Sequence, residues 1–409
     1  MVSAVLDIDG ISATRRVGPA SADELAEAVR AADQDGQAVA AVGGGTQLDL
    51  GMPPTRLDVI VDTTALDRVV EYEPADLTIT VEAGIRFSRL QTVLAEQGQF
   101  LALDPPAEDE ATLGGLIATN ASGPLRFAYG TARDLVIGTR VVNADGVLTR
   151  AGGRVVKNVA GYDLNKLYVG SLGTLGILVE LSLKLAPIPP ASDAVFAQFS
   201  ELDGARRVLD AVVHSPLSPL AVELLGSGAA QAAGLPGEKL IVFRLGGYPQ
   251  AVDRQVRDLS ALLERHGGRQ VEAPENAWED LVRSRVAALR THAVVCKASG
   301  PLSSSAALVT IMEHHFSGLE PIVWAHAGSG VGFAACSAPS DASVLLEARR
   351  EIAALGSNAS LVIQRCPAAV KRSLDVWGDA GSSLPLMRAL KNKLDPRNTL
   401  NPGRYVGGI

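Results

Sequence analysis

This sequence lacks the features that direct a protein to nucleic acid or into a membrane. Lys and Arg are never gathered into a dense tract, and the net charge is −8. Nucleic acid is therefore not expected as a partner, because binding to a phosphate backbone depends on clustered basic charge. No run of about 18 uncharged apolar residues is present, so no transmembrane segment is predicted. The N-terminus has no basic stretch followed by an apolar run, so no signal peptide is predicted either.

Cysteine is equally scarce. Cys296, Cys336 and Cys366 are odd in number and far apart, which predicts neither a disulfide framework nor an iron–sulfur cluster and is typical of a reducing cytoplasm. If the protein passes electrons on, another cofactor or chain must receive them. What the sequence does have is 47% hydrophobic residues in 409, enough for two or three domains with sizeable cores.

The first part of the chain predicts a mixed α and β domain over residues 1–188. Ser21 and Glu24 form a capping box for a helix that ends near Gly36. Asp145-Gly146, between two apolar runs, indicates a β-hairpin. The prolines at 187–190 interrupt regular structure, and we place the domain boundary there. The remaining elements expected here are strands at 38–42, 57–62, 77–82, 135–143, 147–150 and 176–185 and a helix at 87–96.

The second part, residues 191–365, shows the order strand, helix, strand, strand, helix twice. Two such runs predict one antiparallel sheet with helices on one face, so the fold class is α+β. Residues 380–409 are short and rich in Pro and Gly, and we expect this C-terminal segment to pack on the first domain. The elements expected between are strands at 194–199, 220–225, 239–245, 292–297, 322–326, 330–336 and 360–363, and helices at 202–214, 251–266, 303–314 and 342–355.

Three glycine-rich segments carry the functional information. The first is Val42–Gln47 (VGGGTQ), directly after a predicted strand. Consecutive glycines allow positive φ and bring several backbone N–H groups to one point, as a diphosphate requires. A flexible turn is the alternative.

The second segment runs over residues 103–107 and 111–123. Thr112 can cap a short helix whose first turn contains Gly114 and Gly115, where glycine lowers helix propensity by roughly 1 kcal/mol relative to Ala. A ligand passing close to the helix start explains these glycines, and the N–H groups at that end favour an anion. Tight packing of the helix on small residues explains them equally well.

The third segment begins at Gly161 and continues to GSLGTLGI at 170–177, which leads into a strand. Its spaced glycines indicate a backbone bent around a flat group such as adenine, or a plain turn. None of the three segments fits the G-x-G-x-x-G pattern that leads from a strand into a helix in a Rossmann fold.

Taken in order, the three segments resemble the FAD-binding domain of the vanillyl-alcohol oxidase family, also called the p-cresol methylhydroxylase type, over about residues 15–185. The resemblance implies FAD as cofactor, with its diphosphate at Gly43, Gly44, Gly45, Thr46 and Gln47. It also implies contacts to the flavin and diphosphate from Pro105, Thr112, Gly114, Gly115, Thr119 and Ser122, and contacts on the adenine side from Gly173, Gly176 and Ile177. The C-terminal run at 393–404 is similar to the family's signature, with Asn401 and Arg404 as its polar participants.

Within that family, residues 120–130 and 153–163 resemble the smaller FAD-binding subunits of bacterial glycolate oxidases. That likeness implies an assembly with a larger FAD-containing subunit and an iron–sulfur subunit, and a small hydroxy acid as substrate, glycolate being oxidised to glyoxylate. It also implies a cytoplasmic location, or a peripheral one at the inner membrane through the complex.

Two absences refine the expectation. Some members of the family attach FAD through histidine or cysteine, but here the first His is His214 and the first Cys is Cys296. Both lie beyond the expected flavin domain, so we expect non-covalent FAD.

The second absence concerns catalysis. Relatives that oxidise 2-hydroxy acids carry a His-x-Gly-Asp-Gly-Asn-x-His run that binds a metal and helps remove a proton. Here the run is HAGSGVGF at 326–333. Only His326 remains, while Ser329, Val331 and Phe333 replace the other three groups, so no metal site is expected. His326 itself can be a packed, hydrogen-bonded residue, and Arg126 can attract a carboxylate or be a surface cation.

Three functions remain open on this basis, and no catalytic residue is assigned. The chain can be an FAD subunit that depends on a partner for substrate oxidation, a self-sufficient FAD dehydrogenase of another small hydroxy acid or alcohol, or a scaffold that has lost redox work.

Overall fold

The computed structural model of the protein describes residues 7–107, 109–153 and 162–409. Gly161 and most of the run at 153–163, which carries part of the family resemblance, lie outside the described residues. The described residues form two compact units. Of the described residues, the first unit comprises 7–107, 109–122, 130–153, 162–188 and 379–409, and the second comprises 123–129 and 189–378.

The strands within the described residues contain two to eight residues each. They are β1 (Asp7–Ile8), β2 (Ile11–Ser12), β3 (Arg15–Val17), β4 (Val39–Val42), β5 (Val59–Asp62), β6 (Val69–Glu73), β7 (Thr78–Glu82), β8 (Gln99–Phe100), β9 (Val136–Val142), β10 (Leu148–Gly152), β11 (Ile177–Lys184), β12 (Ala186–Pro187), β13 (Ala191–Gln198), β14 (Ala221–Leu225), β15 (Leu240–Gly247), β16 (Arg269–Gln270), β17 (Val294–Ser299), β18 (Ile322–His326), β19 (Val331–Cys336) and β20 (Ser360–Arg365).

The helices range from a single turn to almost five turns. They are α1 (Ala22–Gln34), α2 (Phe87–Ala95), α3 (Leu113–Thr119), α4 (Arg126–Tyr129), α5 (Ala132–Leu135), α6 (Asn165–Tyr168), α7 (Leu202–Val213), α8 (Ser227–Ala232), α9 (Pro249–Arg265), α10 (Ala277–Thr291), α11 (Ser305–His315), α12 (Ser343–Ala353), α13 (Ala368–Lys371) and α14 (Leu384–Leu394).

The first unit begins as its sequence predicts. The Ser21 hydroxyl accepts a hydrogen bond from the Glu24 N–H at 3.1 Å, which satisfies a free donor at the start of α1. Leu25, Val29 and Ala32 then recur at helical spacing, and all three are fully buried. They pack on β4 and β5. These two strands belong to a parallel sheet with the order β3-β5-β4, in which β5 is central and β4 lies at one edge.

A second sheet of the first unit is antiparallel, with the order β10-β9-β11-β7-β6. The C-terminal segment also belongs to this unit, and Leu400 forms a parallel bridge with Val39 at the start of β4. The end of the chain therefore lies beside the strand that leads into the first glycine segment.

The second unit contains an antiparallel sheet in the order β16-β13-β15-β14-β18-β19-β17-β20 among the described residues. One face of it carries α11, because an added Cβ at Gly332 would meet Leu308 and Met312 of that helix. The adjacent residue Phe333 belongs to the opposite face and packs in a core that includes Leu281 of α10. Helices therefore cover both faces of this sheet, with α8 and α10 on the face opposite to α11. The expectation of helices on one face only was wrong in this respect.

The limits of the two units differ from the expected domain limits at two places, one of which is the end of the second unit, at Gly378 rather than at residue 365. Residues 123–129, which the sequence analysis assigned to the first domain, lie in the second unit. The reason is local packing, since α4 contacts β14 and the ring of Phe127 lies against Gly328.

Candidate functional site

The first glycine segment turns sharply because neighbouring chain passes very close to it. An added Cβ at Gly43 would overlap the Thr112 hydroxyl, and one at Gly44 would overlap the backbone carbonyl oxygen of Glu110. Gly45 has φ +72°, in the left-handed region that favours glycine. The N–H of Gly44 donates to Thr112 Oγ1 at 3.4 Å. Glycine is required here by the contact between the first and second segments.

The second segment forms α3, with Thr112 at its N-cap. The expected cap hydrogen bond from Thr112 to the helix is not made, and the hydroxyl faces Gly44 instead. Gly114 is needed for packing, because an added Cβ would lie 2.9 Å from the carbonyl oxygen of Ala83. At Gly115, by contrast, an added Cβ would meet only Thr112 Oγ1, at 3.3 Å. Gly115 therefore leaves open space at the helix start.

The third segment is tied to the end of α3. The N–H groups of Gly170 and Leu172 each donate at 2.9 Å, to the carbonyl oxygens of Ile117 and Ala118 respectively. An added Cβ at Gly173, where φ is +69°, would meet nothing, whereas one at Gly176 would overlap the side chain of Val141. One of these glycines shapes the turn, and the other allows strand packing.

All three segments line a single cavity within the first unit, together with the C-terminal segment. The residues expected from the sequence that line it are Gly43, Gly44, Gly45, Thr46, Gln47, Thr112, Gly114, Gly115, Thr119, Gly173, Gly176, Ile177, Asn401 and Arg404. Pro105 and Ser122 are not among the residues that line it. The segments are therefore brought together, with those two exceptions.

Several residues that line this cavity were not expected from the sequence. Thr63 follows β5, and its N–H donates to the carbonyl oxygen of Val42 at 2.9 Å. A signal for it existed, since the carboxyl ends of neighbouring parallel strands meet at one edge of a sheet, where ligands bind. The other unexpected lining residues are Ala41, Val42, Leu48, Ala118, Ser171, Leu172 and Leu178.

Asn401 and Arg404 both line the cavity, but they differ in their hydrogen-bond partners. Arg404 is 3% exposed and donates to the carbonyl oxygens of Leu48 and Leu50 at 2.7 and 2.6 Å. Burial lowers the pKa of this guanidinium, and the nearby Asp9 opposes that shift. Asn401 donates from Nδ2 to the Leu172 carbonyl oxygen at 2.7 Å. Its Oδ1 is buried and has no hydrogen-bond partner among the described residues.

These features fit a dinucleotide cofactor. A buried amide oxygen without a partner is costly, and the adenine amine, the ribose hydroxyls and the flavin ring N–H of FAD are donors that can satisfy Asn401 Oδ1. The glycine turns offer backbone N–H groups, which suit a diphosphate. The cavity therefore has both kinds of group that FAD requires.

A second group of polar residues lies on one face of the sheet in the second unit. Glu223, fully buried, forms an ion pair with Arg285 and accepts from Nδ1 of His326 at 2.8 Å. Burial lowers the pKa of His326, although Glu223 raises it in opposition. The imidazole is thus neutral at pH 7 and donates its Nδ1 proton to Glu223, as a buried, hydrogen-bonded residue.

Lys297 lies on the same face, because it is the cross-strand partner of Phe333, which contacts His326. Burial, together with the positive charge of Arg126, lowers the pKa of Lys297 to about 8. No carboxylate within the described residues forms an ion pair with this ammonium group. Among those residues no group of three His, Cys, Asp or Glu could hold a metal ion, and no helix combines the length and hydropathy needed to cross a membrane.

Comparison with known proteins agrees with this geometry. Residues 13–152 match the family described as FAD binding domain, and residues 379–405 match the C-terminal domain of FAD linked oxidases. Among solved structures, p-cresol methylhydroxylase with substrate bound superposes with a TM-score of 0.72 at 16% identity, covering 95% of this chain and 88% of that one.

Three curated relatives illustrate the range of similar sequences. Glycolate oxidase subunit GlcD of Bacillus subtilis is 26% identical, over 95% of this chain and 88% of its own length. The mitochondrial D-lactate dehydrogenase [cytochrome] of Arabidopsis thaliana is 28% identical, over 95% of this chain and 73% of its own length. Glycolate oxidase subunit GlcE of Escherichia coli is 36% identical, but over only 48% of this chain and 55% of its own length.

The fold and the cavity define a flavoprotein with the α+β fold of the vanillyl-alcohol oxidase and p-cresol methylhydroxylase type. More particularly, the chain is an FAD-dependent oxidoreductase that carries an FAD binding domain and the C-terminal domain of FAD linked oxidases. The expected fold class and the expected cofactor are confirmed.

Proposed function

We propose that the chain is a non-covalent FAD subunit of a multi-subunit enzyme that oxidises a small 2-hydroxy acid, with glycolate as the first candidate and glyoxylate as its product. The observation that carries the proposal is the cavity shared by the three glycine segments and the C-terminal segment. When bound there, FAD supplies a redox centre that can accept and pass on electrons within the complex. Similarity to two different glycolate oxidase subunits supports the choice of substrate.

The attachment of the cofactor is proposed from the residues of the cavity. It is lined by Gly, Ala, Thr, Ser and aliphatic side chains with Gln47, Asn401 and Arg404, and none of these is a histidine or a cysteine. We therefore predict that precipitation of the holoprotein with mild acid releases all of its FAD into the supernatant. Flavin fluorescence that remains with the washed polypeptide would contradict this prediction.

Dependence on a partner is proposed from the second unit. His326 uses Nδ1 to bind Glu223, and the nearby Val331 and Phe333 offer neither a ligand nor a base. We propose that the main catalytic site lies on a larger FAD-containing subunit. We also propose that an iron–sulfur subunit receives the electrons, because the chain's own three cysteines are buried within the second unit.

The test is the visible spectrum of the purified chain under anaerobic conditions with glycolate. Flavin that stays oxidised alone but bleaches after addition of the co-purifying subunits supports the proposal. Bleaching of the isolated chain by glycolate would overturn the dependence on a partner, and a colourless protein that takes up no added FAD would indicate a scaffold.

A second candidate function is a self-sufficient dehydrogenase of another small hydroxy acid. Lys297 favours it, because a half-buried ammonium beside Arg126 is suited to holding a substrate carboxylate. Similarity to a D-lactate dehydrogenase over 95% of this chain is consistent with that role.

Anion binding at Lys297 has a definite pH dependence. With a pKa of about 8, the side chain is charged at pH 7 and mostly neutral at pH 9, so affinity for a carboxylate falls as pH rises through 8. We expect the Kd of oxalate, measured by calorimetry, to increase about tenfold from pH 7 to pH 9. In Lys297→Met the affinity should be low and nearly independent of pH. Equal affinity of the wild type at both pH values would exclude Lys297 as the anion site.

A further inference from the structure

The C-terminal segment is anchored inside the first unit by one ammonium group. Lys391, on α14, is 4% exposed. Its Nζ donates to the carbonyl oxygen of Thr174 at 2.9 Å, to that of Leu400 at 2.8 Å and to Asp395 Oδ2 at 2.6 Å. An ammonium has three N–H donors, so all of them are used within the protein.

The carboxylate of Asp395 extends this anchor along the chain. It accepts hydrogen bonds from the N–H groups of Thr399 at 2.8 Å and Leu400 at 2.7 Å. Asp395 is 1% exposed. The turn from Asp395 to Leu400 is thereby fixed, and with it the parallel bridge of Leu400 to Val39 at the start of β4.

The residues after this turn hold two of the three glycine segments. The N–H of Asn401 donates to the Val39 carbonyl oxygen at 2.7 Å, while its Nδ2 donates to Leu172 in the third segment. Arg404 donates to the carbonyl oxygens of Leu48 and Leu50, just beyond the first segment. Lys391 itself reaches the third segment at Thr174. The stretch at 400–404 therefore fixes the distance between the first and the third glycine segments, which both line the cavity.

From these contacts we infer that Lys391 is a positioning residue for the cofactor, coupling the docking of the C-terminal segment to FAD binding. The inference rests on the proposed placement of FAD in the cavity. Lys391 does not line the cavity and acts through the loops that it joins. Burial lowers the pKa of this ammonium, although the nearby Asp395 opposes that shift.

Coupling of this kind is reciprocal, so FAD must stabilise the docked segment by the same factor by which docking strengthens FAD binding. We expect Lys391→Met, depleted of flavin and titrated with FAD, to bind it roughly 5- to 150-fold more weakly than the wild type, the usual range for coupled sites. Lys393→Met removes an exposed charge two residues away and serves as the matched control, with an unchanged Kd. A folded Lys391→Met protein with wild-type affinity would overturn the inference.

A measurement without any variant covers the case in which Lys391→Met does not fold. Hydrogen exchange of residues 384–404 is compared in the wild type with and without FAD, and we expect slower exchange with FAD. Equal exchange in the two states would refute the coupling. A separate variant tests whether FAD lies in the cavity at all. In Gly115→Leu the added side chain would enter the open space of the cavity, so this variant would bind FAD with wild-type affinity only if FAD binds elsewhere.

Discussion

A Gly44→Val protein is expected to retain no flavin through gel filtration. In the structure, any Cβ at this position would overlap the backbone carbonyl oxygen of Glu110, so the first glycine segment must move away from the second. Overpacking of this kind typically costs about 1–3 kcal/mol, which corresponds to roughly 5- to 150-fold in affinity when the displaced residues line the site. The backbone N–H groups that are needed for a diphosphate would no longer converge.

The experiment is the ratio of flavin to protein absorbance after purification, followed by titration with FAD. Gly18→Val is the control, because an added Cβ at Gly18 meets no atom within 4 Å and its φ is not in the left-handed region. Circular dichroism should show that both variants are folded. Full flavin occupancy of a folded Gly44→Val protein would mean that the segment does not contact the cofactor.

Arg285→Met is expected to give the largest loss of stability in the second unit. It would leave the fully buried carboxylate of Glu223 with only the neutral His326 beside it. Removing one partner of a buried ion pair costs about 3–5 kcal/mol, because a charge is left in the interior without compensation. Arg283→Met, on the same helix but exposed and paired with Asp280 at the surface, is the control and should change stability by less than about 1 kcal/mol.

The pH dependence of this loss identifies its cause. In the wild type the pKa of His326 is lowered, so the unfolded chain takes up the proton first and stability falls as pH drops below about 6.5. Without Arg285, His326 can take a proton and pair with Glu223, so the penalty of Arg285→Met should be smaller at pH 5.5 than at pH 7.5. Urea denaturation followed by tryptophan fluorescence measures this directly, since Trp278, Trp324 and Trp377 all lie in the second unit. A penalty that is equal at both pH values would indicate lost packing rather than lost charge.

Local pattern was sufficient to predict most of the regular structure. The helix start at Ser21, the strand Ile322–His326 and the antiparallel sheet of the second unit follow from capping, alternation and element order. The strand Val69–Glu73 was missed because it is short, carries two Glu residues and lies at a sheet edge, where burial does not impose alternation. The helix Ala277–Thr291 was also missed, although its buried residues Ala277, Leu281 and Ala288 recur at helical spacing.

The candidate site shows where reasoning from the sequence stops. The family resemblance of the three glycine segments implied a common FAD site, but it did not distinguish which glycine serves packing and which leaves space. Gly43, Gly44 and Gly114 are explained by contacts with other chain segments, and Gly115 by open space. The pairing of Glu223 with Arg285 and His326 joins residues 62 and 103 positions apart, and the anchor from Lys391 to Thr174 spans 217. No local spacing encodes such contacts, because they arise only when the sheets and the C-terminal segment have assembled.

The central claim is that one FAD lies in the cavity where the glycine segments meet the C-terminal segment. A crystal structure of the protein loaded with FAD tests it most directly. We expect phosphate oxygens within hydrogen-bond distance of the backbone N–H groups at Gly43–Thr46, and a donor atom of the cofactor within hydrogen-bond distance of Asn401 Oδ1. An FAD diphosphate bound elsewhere, with the N–H groups of Gly43–Thr46 facing only solvent or protein, would contradict it.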